Sequence, residues 1–453
     1  MRRPRLGVGV GLVGALVGLE ADAVAAGPIT KGPWVQRVTS SSAVVRVEVD
    51  PPAAAAVEIG LGPTEGDSGQ RVFTSEAPRA LHTIVLDGLQ PGTRYPYSVR
   101  VGATSKYAAF VTAPPDEGDA PFRFLVYGDN RTDDAAHAAV VRAMVPAATD
   151  FLVHTGDFVA DGGSAAEWQT FFDIEAPLLG ARCLFSCVGN HELTDGSGIA
   201  YARFFGPTDL PAVVDAGRAP TGRAPAAMRP EHLNGTYRWG NTRFFFINGL
   251  VSYRGTVDRT WLETALTEAD AEASLKWRVV VVHHGPWSSG PHGKNARLHD
   301  AGIIPLLKEH KVDLILSGHD HIYERGFADG LAYVVSGGGG APVYPIKAPL
   351  PEARKLESVR HFVDVSVSGA AMQFVATRAD GSTIERCALS KALGGWDCDG
   401  TGAVAPSPPP APTSRCACDV VGATPWVGAA PLGGVALGAV VLAFVRRRRR
   451  TTP

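Results

Sequence analysis

Phe122-Arg123-Phe124-Leu125-Val126-Tyr127-Gly128-Asp129-Asn130-Arg131 is an apolar run that breaks on a glycine and hands a carboxylate to whatever lies past its end. Its apolar six-residue core reads as a buried strand. The pattern recurs four times downstream. Runs from Phe151 to His154, Cys183 to Val188, Val279 to Val282 and Val312 to Leu316 lead into Gly156-Asp157, Gly189-Asn190-His191-Glu192, His283-His284-Gly285-Pro286 and Gly318-His319-Asp320-His321. Phe244 to Asn248 is a further strand, and Asp133 to Val145 and Asp258 to Ala269 are helix candidates between strands. Such alternation predicts an α/β layered domain over 120–385. Leu331 to Ser336, Phe362 to Val367 and Gln373 to Thr377 are read as completing a second sheet, which makes the domain a two-sheet α/β sandwich.

The ends of strands in open α/β sheets are where ligand sites form. Each glycine is expected to let the chain turn off its strand and present the next side chain to the crevice. The residues presented offer carboxylate oxygen, amide oxygen and imidazole nitrogen, a set suited to borderline divalent or trivalent metals. One Gly-Asp is usually a turn and one His-x-His proves little. Five such motifs in order at five strand ends are hard to reach by chance.

This ordered set resembles the calcineurin-like metallophosphoesterase family, and a β module before it narrows the likeness to the purple acid phosphatase branch. The resemblance implies a dinuclear centre of iron, manganese or zinc. Carried over by position, Asp129 and His321 would bind the first metal and Asp157 would bridge both. Asn190, His284 and His319 would hold the second. His284 is preferred to His283 because the family's ligand stands two residues before a proline, here Pro286. His283 is then a core or supporting histidine. His191 would face the substrate and stabilise or protonate the leaving oxygen, and His292 would contact phosphate. The implied reaction is hydrolysis of phosphate monoesters, in the manner of an acid phosphatase, by a metal-activated hydroxide. Two alternatives stay open: a phosphodiesterase or nucleotidase on the same site, or a surface binding protein with a degenerate metal site.

Two departures bear on the first metal. A tyrosine three residues after the bridging aspartate gives purple acid phosphatases their colour, and here that place is Ala160. The wider family has a histidine two residues after the first aspartate, and here that place is Arg131. Water, Asp161 or Asp133 are the candidate substitutes, weak binding of the first metal is the other open reading, and the protein is expected not to be purple. Arg131 has two open readings: a bidentate contact to substrate oxygens, or neutralisation of Asp157 or a neighbour.

Outside this domain the chain changes character. Residues 27–114 are all β, and the segment from Leu86 to Tyr97 resembles the fibronectin type III pattern of a turn before a strand with a packing tyrosine. A small independent sandwich acting as a spacer is expected. The start, with Arg2, Arg3 and Arg5, an apolar stretch from Leu6 to Leu19 and Ala23-Val24-Ala25, reads as a signal peptide over 1–26. Prolines stiffen a linker over 403–415. Residues 416–453 carry Cys416-Ala417-Cys418, an uncharged stretch from Val420 to Val445 and the arginines Arg446 to Arg450. The uncharged run is long enough to span a bilayer, and two readings stay open: a plain permanent anchor, or a tail that resembles the sorting tails of myxobacterial surface proteins, which implies display at the cell surface or outer membrane with release on processing. Without those arginines the formal charge falls from -2 to -7. A mildly acidic body leaves no electrostatic footprint for nucleic acid. The partner expected is a phosphate ester. Among six cysteines, Cys387 with Cys398 is the plausible local disulfide, while Cys183 and Cys187 read as small buried side chains.

Overall fold

Three layers of apolar side chains decide the architecture of the main domain. Along the strand Phe122–Tyr127, Phe124 and Val126 face one cluster while Leu125 and Tyr127 face another, the two-residue alternation of a strand buried on both faces. The first cluster lies between two sheets and joins Phe124, Val126, Phe151 and Val153 to Phe244, Phe246, Val279, Val281, Leu314 and Leu316. The second and third lie between each sheet and its own helices. The result is helices, sheet, sheet, helices. The computed structural model describes residues 29–60, 70–196, 198–206, 233–249 and 259–398. The expected signal peptide, proline-rich linker and sorting tail, and most of the stretch 193–235, lie outside them.

In chain order the module strands are β1 (Ile29–Gln36), β2 (Ala43–Ile59), β3 (Arg71–Leu86), β4 (Arg94–Val101) and β5 (Thr104–Val111). They are followed by β6 (Phe122–Tyr127), α1 (Asp134–Met144), β7 (Phe151–His154), α2 (Ala165–Leu179), β8 (Cys183–Ser186) and α3 (Ile199–Phe205). Next come β9 (Gly235–Trp239), β10 (Thr242–Ile247), α4 (Arg259–Asp270), β11 (Trp277–Val282), α5 (Ala296–Asp300), α6 (Ile303–Glu309), β12 (Leu314–Ser317), β13 (Tyr323–Ala328) and β14 (Leu331–Ser336). The last strands are β15 (Ala353–Glu357), β16 (His361–Ser368), β17 (Ala371–Arg378), β18 (Thr383–Ser390) and β19 (Gly395–Asp397).

One seven-stranded sheet runs β19-β18-β17-β16-β6-β7-β8 and the other β15-β13-β14-β12-β11-β10-β9. Strands β6, β7 and β8 are parallel, as are β10, β11, β12 and β14, so their carboxyl ends gather at one edge. The expected two sheets are present, with one change of membership. Only β14 of the three late strands joins the second sheet. β16 returns to the first, pairing antiparallel with β6 through Val365↔Phe124, and β17 follows it. The helices start where their caps dictate: the Asp133 carboxylate accepts from Ala136 N, and Ser164 caps α2 by accepting from Glu167 N. No helix of the described residues is long and apolar enough to cross a membrane. Cys387 and Cys398 are disulfide-bonded, and Cys183 and Cys187 are buried free thiols.

The module forms one five-stranded antiparallel sheet in which β2 pairs with β1, β3 and β4. Its pairing with β3 loses register between Glu48 and Ala53, around Asp50-Pro51-Pro52, so the two halves of β2 serve different neighbours. The Tyr95 hydroxyl accepts from Gln90 N at 2.7 Å, tying the turn before β4 to that strand. The module is not an independent body. Trp34 is fully buried and packs on Phe172 of α2 and Phe204 of α3, and the Tyr97 hydroxyl donates to the Gly180 carbonyl at 2.7 Å. Aromatic side chains of this size bury too much apolar surface to be left facing water.

Candidate metal centre

The five motifs meet at the shared edge of the sheets. Asp129 follows β6, Asp157 follows β7 and Asn190 follows β8, while His283 follows β11 and His319 follows β12. Among the motif glycines Gly156 takes the expected positive φ, at 96°, while Gly128 and Gly318 do not. The left-handed backbone belongs to Asp129, Asp157 and His319 themselves, at φ of 59°, 58° and 70°. Non-glycine residues held there store local strain, which marks functional sites. Gly128 and Gly318 instead permit close approach. A Cβ on Gly128 would lie 2.1 Å from Thr155 Oγ1, and one on Gly318 2.2 Å from Asp129 Oδ2.

Four donor atoms converge around His283. Its Nε2 lies 3.0 Å from Asn190 Oδ1, 3.3 Å from Asp157 Oδ1 and 3.1 Å from His319 Nδ1. Bonds of about 2.1 Å set tetrahedrally around one ion would put ligand atoms about 3.4 Å apart, so this set fits a metal. His283 Nδ1 donates to the Thr155 carbonyl at 2.8 Å, which orients Nε2 into the cluster. Burial opposes a charge on His283, but Asp157 and Asp129 outweigh it and push its pKa up to about 9. The ligand set therefore attracts a cation even as a proton. Asp157 is fully buried, yet His283, His191 and Arg131 overcome burial and hold its carboxyl well below the usual range.

His283, read from sequence as a core or supporting residue, also turns a ring nitrogen into the cluster, beside His284. The strand ladder runs on past Val282, with Gly318 N donating to the His283 carbonyl, so His283 keeps the phase of Val279 and Val281 and points between the sheets. His284 borders the same cluster. Its ring lies 4.4 Å from that of His319, and its Nε2 is buried without a hydrogen-bond partner in the structure.

The first-metal pocket is different. Asp129 is fully buried and its carboxylate accepts from His319 N at 3.0 and 3.1 Å. His321 Nε2 lies 3.6 Å from Asp129 Oδ1, and His321 Nδ1 donates to the Pro342 carbonyl at 2.7 Å. Between them and Asp157 sits Arg131, its Nε 3.1 Å from Asp157 Oδ2 and its Nη2 3.4 Å from His321 Nε2. Neither proposed substitute ligand is free. Asp133 caps α1 and pairs with Arg360, while Asp161 accepts from Gly163 N and Thr194 Oγ1. These residues fit one metal and not two.

The substrate-facing histidines flank the cluster. His191 Nδ1 donates to the Ala160 carbonyl at 2.6 Å, which leaves Nε2 for the site, 3.9 Å from Asp157 Oδ2. His292 is tied through Nδ1 to Asp320 Oδ1 at 2.7 Å, its ring 4.1 Å from that of His319 and its side chain 40% exposed. Ser288 holds the other Asp320 oxygen.

Two features escaped the sequence reading. The Glu192 carboxylate accepts from the backbone N–H groups of Asp157, Phe158, Val159 and Gly189 at 2.8 to 3.3 Å, clamping the loops after β7 and β8 together. Its place in Gly189-Asn190-His191-Glu192 was the available signal. The run Gly337 to Gly340 after β14 passes beneath Asp129, with Gly339 N donating to the Gly128 carbonyl at 2.8 Å. A Cβ on Gly339 would stand 2.4 Å from that oxygen.

Residues 122–323 match the family model described as calcineurin-like phosphoesterase, and residues 26–115 match a domain of unknown function, DUF7800. An uncharacterized protein of Mycobacterium tuberculosis is 27% identical over 277 residues, 53% of this chain and 49% of that one, so this chain spans about half the relative's length. Purple acid phosphatase 23 of Arabidopsis thaliana is 24% identical over 340 residues, covering 64% of this chain and 71% of that protein. The structure of a purple acid phosphatase from yellow lupin seeds superposes with a TM-score of 0.62 at 18% identity, covering 80% of this chain and 75% of that one. That likeness shows a shared fold.

Proposed function

We propose that the chain hydrolyses phosphate esters, monoesters foremost, on the match of residues 122–323 to the calcineurin-like phosphoesterase model and the likeness to purple acid phosphatases. Water adds to phosphorus, the bond from phosphorus to the ester oxygen breaks, and the leaving oxygen takes up a proton to become an alcohol. The observation that carries this reading is the convergence of Asp157 Oδ1, Asn190 Oδ1, His283 Nε2 and His319 Nδ1 on one point beside His191. A bound metal ion supplies Lewis acidity toward the phosphoryl oxygens and lowers the pKa of water at the site. His191, fixed by its bond to the Ala160 carbonyl, presents Nε2 to protonate the leaving oxygen. His292, steadied by Asp320, lies beside His319 to receive a phosphate oxygen. The family template gives Asp129, His321 and the bridging Asp157 a second ion, and the place of Arg131 bears on that below.

The β module serves as a brace on this reading, with a fibronectin-like turn at Tyr95 and a docking face at Trp34 and Tyr97. Export to the cell surface through the tail is supported by the leader-like start, the arginine cluster and the Cys387–Cys398 disulfide, a bond of oxidising compartments. The test is release of phosphate from p-nitrophenyl phosphate beside release of p-nitrophenol from bis(p-nitrophenyl) phosphate, before and after chelation. Faster monoester turnover that is lost with the metal is expected. Metal-loaded protein inert toward both esters sinks the proposal.

A further inference from the structure

The guanidinium of Arg131 lies where a two-metal scheme puts the first ion, and we propose that it replaces that ion, giving a one-metal phosphoesterase whose second positive charge is part of the chain. The inference rests on the metallophosphoesterase reading above. Two carboxylates that are fully buried, Asp129 and Asp157, require compensating positive charge nearby. On the His283 side the converging donors call for an ion. On the other side the chain answers the demand itself.

The geometry is specific. One edge of the guanidinium, Nε with Nη2, faces Asp157 Oδ2 at 3.1 Å and His321 Nε2 at 3.4 Å. Those are the atoms that a first metal would bind. His321 donates from Nδ1 to the Pro342 carbonyl, so its Nε2 carries a lone pair and accepts from Arg131 as it would accept a metal. Tyr344 stacks on the His321 ring at 4.0 Å, closing the pocket on that side. The Arg131 side chain is only 15% exposed, which is low for a long cation without a fixed role. Among the described residues, Ala160 has no side-chain donor and Asp133 and Asp161 are engaged elsewhere.

A guanidinium keeps its charge at every accessible pH and is not removed by a chelator. It also has donors to spare. Nη1, whose partner is the exposed Thr132 Oγ1 at 3.3 Å, remains on the open side to meet a phosphate oxygen. Both sequence readings of Arg131 thereby describe one residue, which neutralises Asp157 with one edge and reaches substrate with the other.

The full chain, loaded separately with manganese, iron and zinc and then dialysed, is measured for metal per chain, with Arg131→His and Arg131→Ala alongside. One ion per wild-type chain is expected, and two in R131H, which restores the imidazole of the wider family. In R131A the inhibition constant for inorganic phosphate should rise at least about 10-fold, the loss of a charge-assisted hydrogen bond. Two ions in the wild-type chain overturn the proposal, as does an unchanged phosphate constant in R131A. The wild-type count needs no variant to fold. A one-ion chain that turns over no ester leaves Arg131 in place and removes the hydrolysis reading. A two-ion chain that turns over does the reverse.

Discussion

The two halves of the centre are built from the same motifs and differ in what they ask of solvent. On the His283 side, donor atoms from four strand ends converge on one place. On the Asp129 side, His321 and the outer oxygen of Asp157 meet an arginine already in position. The contrast teaches that a conserved-looking ligand spacing does not fix the number of ions. What fixes it is whether every donor has a cation, and the chain can provide one.

The comparison is sharpened most by removing one histidine of the adjacent pair. His283→Ala should abolish metal retention and lower turnover by more than the 10 to 100-fold that outer partners of a metal site cost, while His284→Ala should stay within about that range. Metal per chain and kcat for both variants measure it, and the opposite ranking would give the ligand place to His284. Next in size is His191→Gln, expected to lower kcat by on the order of 100-fold with metal content unchanged, since it removes a proton donor and no ligand. A parallel loss of metal would mean that His191 acts through Asp157 instead.

Smaller effects probe the support on the Arg131 side. Gly318→Ala sets a methyl against Asp129 and should cost about 1 to 3 kcal/mol of stability, the usual range for overpacking, read by urea denaturation. Indifference to the methyl would show that the close approach is not needed. Behind the glycine run under Asp129, His361 N donates to the Gly338 carbonyl, and burial lowers the pKa of the His361 ring to about 4. Since the unfolded chain binds that proton first, this group's contribution is intact above about pH 6.5 and is lost as pH falls toward 4. Wild-type stability should therefore drop by about 1 to 2 kcal/mol more than that of His361→Asn between pH 7 and pH 5. Parallel pH curves would remove His361 as the cause.

Much of this was open to sequence reasoning because strand ends are local events. The boundaries of β6, β7 and β14 could be read directly, and α1 and α4 within a residue or two, because apolar runs and caps are decided by neighbours in the chain. What escaped was set by distant partners. β16 and β17 join the first sheet because β6 offers an edge, and no local pattern encodes that choice. The module was expected to stand alone, but Trp34 finds its pocket in α2 and α3 more than a hundred residues away. The reading of Arg131 stayed divided because its partners, Asp157 and His321, are brought to it only by folding.

Trp34 also has a consequence for how the molecule comes apart. The two matched segments, 26–115 and 122–323, look like separable parts, yet the indole bridges them through rings that also line the helices behind Asp157. Pulling the first segment away would open a hydrophobic face next to the loops that hold the centre in register. The module and the main domain are thus expected to melt together.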